Sequence, residues 1–279
     1  MTGWFGIIRA VTGACMLAVT ASAEAATADA SPWTQDSQSA FRLIAASAPA
    51  ADGKMRAGLE IKLQPGWKTY WRYPGDSGVP PRFDFSGSEN FGSARVLYPA
   101  PHQFSDGSGT AIGYTGSVIL PLQISPRTPG KPVRLRVKFD YAVCEKLCVP
   151  VEGRAELTLG AAKGDFDAIL VAAEKSVPQP AKASDIGLAV RRVTGGLKPL
   201  VMVDIAAETG SAVELFAEGP TAEWALPIPK PAQGAPAGRQ HFSFELDGLP
   251  PGVDPKAPFE LTFTLVERGR ALEIKSHLD

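Results

Sequence analysis

Val133-Arg134-Leu135-Arg136-Val137-Lys138-Phe139-Asp140-Tyr141 alternates apolar and charged residues without a break. Side chains two positions apart on an extended chain share a face, so the run predicts a half-buried β-strand with Val133, Leu135, Val137, Phe139 and Tyr141 inward. The same period of two appears at Met55-Arg56-Ala57-Gly58-Leu59-Glu60-Ile61-Lys62-Leu63, and again at Val118, Leu120, Leu122 and Ile124. Turn-forming clusters separate these runs: Gln64-Pro65-Gly66, Pro74-Gly75-Asp76, Ser105-Asp106-Gly107 and Thr128-Pro129-Gly130. Short alternating strands at this spacing predict an antiparallel sandwich or barrel.

Downstream, apolar residues at helical spacing (Phe166, Ile169, Leu170, Ala173) predict one helix over Asp165–Lys175, with Asp165 as its cap. Ser176-Val177-Pro178-Gln179-Pro180-Ala181-Lys182 then reads as a Pro-rich linker. β patterns resume at Leu188–Val193, Leu200–Ile205, Val213–Phe216, His241–Leu246 and Phe259–Val266, and Glu267-Arg268-Gly269-Arg270 predicts a final hairpin. The expected organisation is an all-β chain. One domain covers residues 31–163, a helix and linker cover 164–182, and a second β-sandwich domain covers 183–279.

The composition fits that plan. Of 279 residues, 44% are hydrophobic, enough for a substantial core, and 28 Gly with 25 Pro favour turns over long helices. With 28 Lys+Arg against 29 Asp+Glu, the net charge of -1 gives no electrostatic footprint for nucleic acid or an anionic membrane surface. At the N-terminus, Arg9 precedes an apolar run from Val11 to Val19 and an Ala21-Ser22-Ala23 cleavage pattern. This is the layout of a secretory signal peptide over residues 1–23, too short to span a bilayer. Cys15 lies inside the apolar run and Thr12-Gly13-Ala14 lacks a large aliphatic residue, which disfavours a lipidation site. The mature chain is expected to be exported, periplasmic and without a membrane span. It keeps two cysteines, Cys144 and Cys148.

Three features offer chemistry. Gly75-Asp76-Ser77-Gly78 matches the surroundings of a trypsin-like nucleophile, but no histidine precedes Ser77, so the expected base is missing and a turn is the better reading. His102, His241 and His277 are scattered, without metal-site spacing. The third feature is Tyr141-Ala142-Val143-Cys144-Glu145-Lys146-Leu147-Cys148-Val149-Pro150, where the opening strand runs out. On an extended strand, positions four apart lie about 13 Å apart, so a bridge between the cysteines requires the chain to turn through Glu145-Lys146-Leu147. Pro150 is expected to help stop the strand. A disulfide closing so short a loop contributes only about 2 kcal/mol on the chain-entropy relation. That small return favours a redox-active pair over a purely structural bond. A Cu(I) site on the same two thiols is the other alternative, since C-x-x-x-C-x-P resembles the motif of Sco-type copper chaperones. Those proteins are thioredoxin-like, whereas another β pattern, Arg154–Leu159, follows here.

The run Gly66-Trp67-Lys68-Thr69-Tyr70-Trp71-Arg72-Tyr73-Pro74-Gly75-Asp76-Ser77-Gly78-Val79-Pro80-Pro81, followed by Tyr98-Pro99-Ala100-Pro101, Gly113-Tyr114, Leu120-Pro121-Leu122 and the cysteine pair, resembles the periplasmic N-terminal domain of the thiol:disulfide interchange proteins DsbD and ScsB. It is most similar to the ScsB-like branch. The resemblance covers about residues 33–160 well, and more weakly the second β domain. It implies immunoglobulin-like sandwiches and protein-disulfide reductase chemistry without a cofactor. Cys148 would form mixed disulfides and Cys144 would resolve them. A thioredoxin-like domain would donate electrons, and exported disulfide isomerases or cytochrome c maturation thioredoxins would accept them. The family shields its cysteines with a capping aromatic. Phe104, in His102-Gln103-Phe104-Ser105-Asp106-Gly107-Ser108-Gly109, is the candidate cap, with Tyr70, Trp71 and Tyr141 as candidate cap or support residues. The chain shows no transmembrane segment or thioredoxin-like domain of its own, so it is expected to act as a relay fed by a separate protein.

Overall fold

A computed structural model describes residues 1, 28–75, 78–105, 109–196, 198–207 and 210–279. The expected signal peptide, apart from Met1, lies outside the described residues, as do Cys15, Ser77 and the Asp106-Gly107 turn. The first part of the chain forms β1 (Thr34–Gln35), β2 (Ser39–Ala45), β3 (Met55–Leu63), β4 (Lys68–Gly75), β5 (Arg82–Asp84), β6 (Phe91–Val96), β7 (His102–Ser105), β8 (Thr110–Thr115), β9 (Ser117–Pro126), β10 (Val133–Cys144) and β11 (Cys148–Leu159). Helix α1 (Asp167–Lys175) follows. The rest forms β12 (Gln179–Ala181), β13 (Ala189–Val193), β14 (Leu200–Ala206), β15 (Val213–Glu218), β16 (Lys230–Ala232), β17 (Arg239–Glu245), β18 (Phe259–Glu267) and β19 (Arg270–Leu278), with a 3-10 turn at Ala183–Ile186.

These strands make two β-sandwiches of immunoglobulin-like type. Sheets β1-β2-β3-β9-β6 and β11-β10-β4-β8-β7, with β5 also pairing β10, form the first. Sheets β12-β19-β18-β15 and β13-β14-β17-β16 form the second. Alternation decides what is buried: Val133, Leu135, Val137, Phe139 and Tyr141 all point from β10 into the first core, against Phe41, Leu43, Leu59, Ile61, Leu120 and Leu122 from the facing sheet. The aromatic centre is a contact chain in which Phe139 stacks on Tyr141 at 4.4 Å and on Phe83 at 4.8 Å, with Phe41 edge-on to Phe139 at 5.3 Å. The second core is built the same way from Val201, Val203, Ile205, Leu215, Phe242, Phe244, Leu261, Phe263 and Ile274.

Three expectations are corrected. Pro150 does not stop a strand: β11 runs through it, with Pro150 opposite Ala142. β11 is the edge of its sheet, so a residue without an N–H costs no ladder bond on the open side. The Pro-rich linker is shorter than expected, because Gln179–Ala181 pairs in parallel with β19, again as an edge strand that tolerates Pro180. Asp165 does not cap the helix, which begins after Phe166 without a side-chain cap. Instead the Asp29 carboxylate accepts the N–H groups of Lys163 (2.8 Å), Gly164 (2.8 Å) and Asp165 (3.0 Å). Burial opposes the ionisation of Asp29, but these three N–H donors outweigh it and hold the carboxyl below its usual range. The helix then docks through Leu170 onto Ile44 and Ala46 of the first sandwich.

Candidate functional site

Strands β10 and β11 form a hairpin in continuous register from Val133↔Leu159 to Cys144↔Cys148. The two cysteines are therefore cross-strand partners at its tip, and they form a disulfide with a Cα separation of 4.2 Å. Glu145-Lys146-Leu147 makes the turn, closed by the Glu145 N–H to the Leu147 carbonyl at 3.4 Å. Odd-numbered residues of β10 face the core, so Ala142 and Cys144 face outward. Cys144 is nonetheless only 1% exposed, because a second, small cluster of Tyr70, Ala111, Ala142 and half-buried Phe104 closes over it. Cys148 and the turn are exposed, Leu147 at 80%. A reagent arriving from solvent therefore meets Cys148.

Strand β4 supplies the polar contact. The Tyr70 hydroxyl lies 2.7 Å from Cys144 Sγ and 3.1 Å from Cys148 Sγ. Next to it, Phe104 on β7 tilts over the Tyr70 ring with centroids 6.4 Å apart. Lys68 ties this cover down: its Nζ donates to the Ser105 carbonyl at 3.1 Å and lies 4.9 Å from the centre of the Phe104 ring. Gly113 allows β8 to approach β4, since a Cβ there would sit 1.9 Å from the Thr69 carbonyl oxygen. Chemically, the arrangement offers one accessible sulfur, one sheltered sulfur and a hydroxyl able to donate to a thiolate as the bond opens.

Of the cap and support candidates, the structure brings Tyr70 and Phe104 to the cysteines. Trp71 and Tyr141 lie elsewhere. Adjacent residues on a strand face opposite ways, so Trp71 points into the core, 5.7 Å from Phe216. Tyr141 is likewise a core residue, hydrogen-bonded to Ser39 Oγ at 2.7 Å, and burial pushes its phenol up to about 12. Lys68 was missed as a site residue although it lies within the recognised motif; its role follows from register, where it opposes Cys144 on the neighbouring strand. The histidines remain apart: His102 contacts Glu214 at 3.0 Å and His241 approaches Asp204 at 3.3 Å. Among the described residues there is no cluster of three or more His, Cys, Asp or Glu side chains that could hold a metal ion.

The second sandwich packs against the same strand. After Tyr70, β4 leaves its register with β8 and rejoins it only at Gly75↔Ala111. Such an irregularity re-aims side chains. Arg72 reaches Glu218 at 2.7 Å and Glu273 at 2.5 Å, and the Tyr73 hydroxyl donates to the Leu226 carbonyl at 2.6 Å.

Comparison with known proteins agrees with this geometry. Residues 35–160 match the family model described as thiol:disulfide interchange protein DsbD, N-terminal. The fold is similar to the crystal structure of the N-terminal periplasmic domain of ScsB from Proteus mirabilis, with a TM-score of 0.68 and 20% identity over 90% of this chain and 98% of that one. No curated protein sequence matches. No helix among the described residues is long and apolar enough to cross a membrane. Residues 35–160 are thus similar to the DsbD N-terminal domain, and the disulfide at the hairpin tip lies inside that match.

Proposed function

We propose that the chain is a periplasmic thiol–disulfide relay, passing two electrons at a time through Cys144 and Cys148 from a thioredoxin-like donor to an exported disulfide-bearing acceptor. The observation that carries this reading is the asymmetry of the disulfide: Cys148 is exposed and Cys144 is buried beneath Tyr70 and Phe104.

A donor thiolate attacks Cys148 Sγ in line with the S–S bond. The new sulfur–sulfur bond joins donor to Cys148, and Cys144 departs as a thiolate carrying the electron pair. The Tyr70 hydroxyl, already 2.7 Å away, donates to that developing charge in a site from which water is excluded. The donor's second thiolate then attacks its own sulfur in the mixed disulfide and releases Cys148 as a thiolate. The donor leaves oxidised to a disulfide, and this chain holds two reduced cysteines. Delivery to the acceptor runs the same steps in reverse: Cys148 attacks the acceptor disulfide, and Cys144 resolves the intermediate.

The test uses Cys144→Ser. Without its resolving thiol, reduced Cys148 is expected to accumulate a mixed disulfide with a thioredoxin-fold substrate, visible on a non-reducing gel and lost with Cys148→Ser. A wild-type disulfide that resists both dithiothreitol and a reduced thioredoxin would sink the reading.

A further inference from the structure

Strand β15 lies at the edge of its sheet and presents Glu214, Phe216 and Glu218 at alternate positions. All three reach the first sandwich. Glu218 pairs with Arg72 and Phe216 packs on Trp71, the two residues that follow Tyr70 on β4. Glu214 reaches the other strand of the site: its Oε1 accepts the Gln103 N–H at 2.8 Å, and its Oε2 lies 3.0 Å from His102 Nδ1. Gln103 directly precedes Phe104, and β7 is a four-residue edge strand paired only with β8. So short an edge is held weakly by its own ladder, and a carboxylate gripping its backbone supplies a second anchor. One strand of the second sandwich thus holds the two strands that carry Tyr70 and Phe104, the side chains that cover the disulfide.

We infer that the second sandwich braces the redox site, and that Glu214 is a positioning residue that keeps Phe104 seated over Cys144 and keeps that sulfur closed to small reagents, so that exchange enters through Cys148. The inference rests on the interchange reading for its function, but its geometry can be tested separately. Without Glu214, β7 lifts more often, and the exposed fraction of Cys144 rises with it.

The experiment places Glu214→Ala, Glu214→Gln, Phe104→Ala and the Glu214→Ala/Phe104→Ala pair in the Cys148→Ser chain, where Cys144 is the remaining thiol of the site. Alkylation of Cys144 by N-ethylmaleimide is followed in time, and deuterium exchange is followed at the Gln103–Ser105 amides. Glu214→Ala is expected to speed alkylation about tenfold, the population change that follows loss of hydrogen bonds to a charged group. It should also speed amide exchange in β7. Glu214→Gln keeps an acceptor for the Gln103 N–H and should stay near wild type. The double variant should be no faster than Phe104→Ala alone, because Glu214 acts through Phe104. Additive effects in the double variant would overturn the inference, as would a lowered melting temperature with unchanged alkylation of Cys144. If Glu214→Ala proves poorly folded, His102→Ala removes one of the two contacts at an exposed side chain and is expected to show the same direction of change. A wild-type disulfide inert to dithiothreitol would overturn the interchange reading alone, while the β7 amides still report on the brace.

Discussion

The β10–β11 and β18–β19 hairpins are both long and antiparallel, and their tips are closed by different means. At the tip of β18–β19, Glu267 pairs with Arg270, and Arg268 and Gly269 make the turn with φ of 47° and 77°. Two successive positive φ values are the signature of a two-residue turn whose twist matches the strands, so backbone conformation alone closes this hairpin. At the tip of β10–β11, none of Glu145, Lys146 and Leu147 has a positive φ. The strands there are twelve residues each, in unbroken register, and a disulfide joins their last pair. A ladder of that length holds its ends together without a covalent bond, as the second hairpin illustrates. The comparison therefore argues that the bond at the first tip is kept for its chemistry, which supports the interchange reading.

Cys148→Ser should abolish thiol exchange altogether while leaving the far-UV circular dichroism unchanged; residual exchange by this variant would break the argument from exposure. Tyr70→Phe should slow reduction by dithiothreitol about tenfold, the equivalent of one hydrogen bond to a developing thiolate. An unchanged rate would remove Tyr70 from the chemistry. The Cys144→Ala/Cys148→Ala pair should remain folded and lose no more than about 2 kcal/mol in denaturant titration, the entropic worth of a five-residue loop. Unfolding of this variant would make the bond a closure device and erase the contrast between the tips. Gly269→Ala, by contrast, should cost about 1 kcal/mol, because alanine resists positive φ.

The smallest effect concerns the outer face of β10–β11. Hydrogen bonds from Arg136 and then Arg134 hold the Glu156 carboxyl below the usual carboxylate range. A carboxyl depressed in the folded chain contributes its stability above the unfolded value near 4.5, and that contribution disappears as pH falls through the folded value. Glu156→Gln should therefore flatten the fall in melting temperature on acidification below about pH 4.5. The change will be slight, since the group is exposed and screened by solvent. An identical pH profile for the two proteins would show that this ion network adds nothing to the hairpin.

Much of this was legible in the chain because a strand buried on one face writes its register into the sequence. The alternation at Val133–Tyr141 named five inward residues, and all five lie in the core. It also indicated where the strand ends, and hence that Cys144 and Cys148 had to meet across a turn. At Lys68-Thr69-Tyr70-Trp71 the same rule leaves a fainter mark. Both faces of β4 are covered there, so Tyr70 and Trp71 are both buried and Lys68 alone, two residues before Tyr70, marks the face turned to the disulfide.

What sequence alone determined was therefore the all-β class, the two runs of strands and the cysteine pair at a strand end. Each depends on spacing along the chain. What tertiary structure decided depends on which edge lies beside which. It placed Pro150 and Pro180 in edge strands, gave the helix entry to Asp29 rather than Asp165, and turned Tyr70 toward the sulfurs. It also brought Glu214, 111 residues away in sequence, to the backbone beside Phe104. Local periodicity encodes which face of a strand is buried, but the neighbour that covers the opposite face comes from distant sequence and becomes visible only once the sheets have packed.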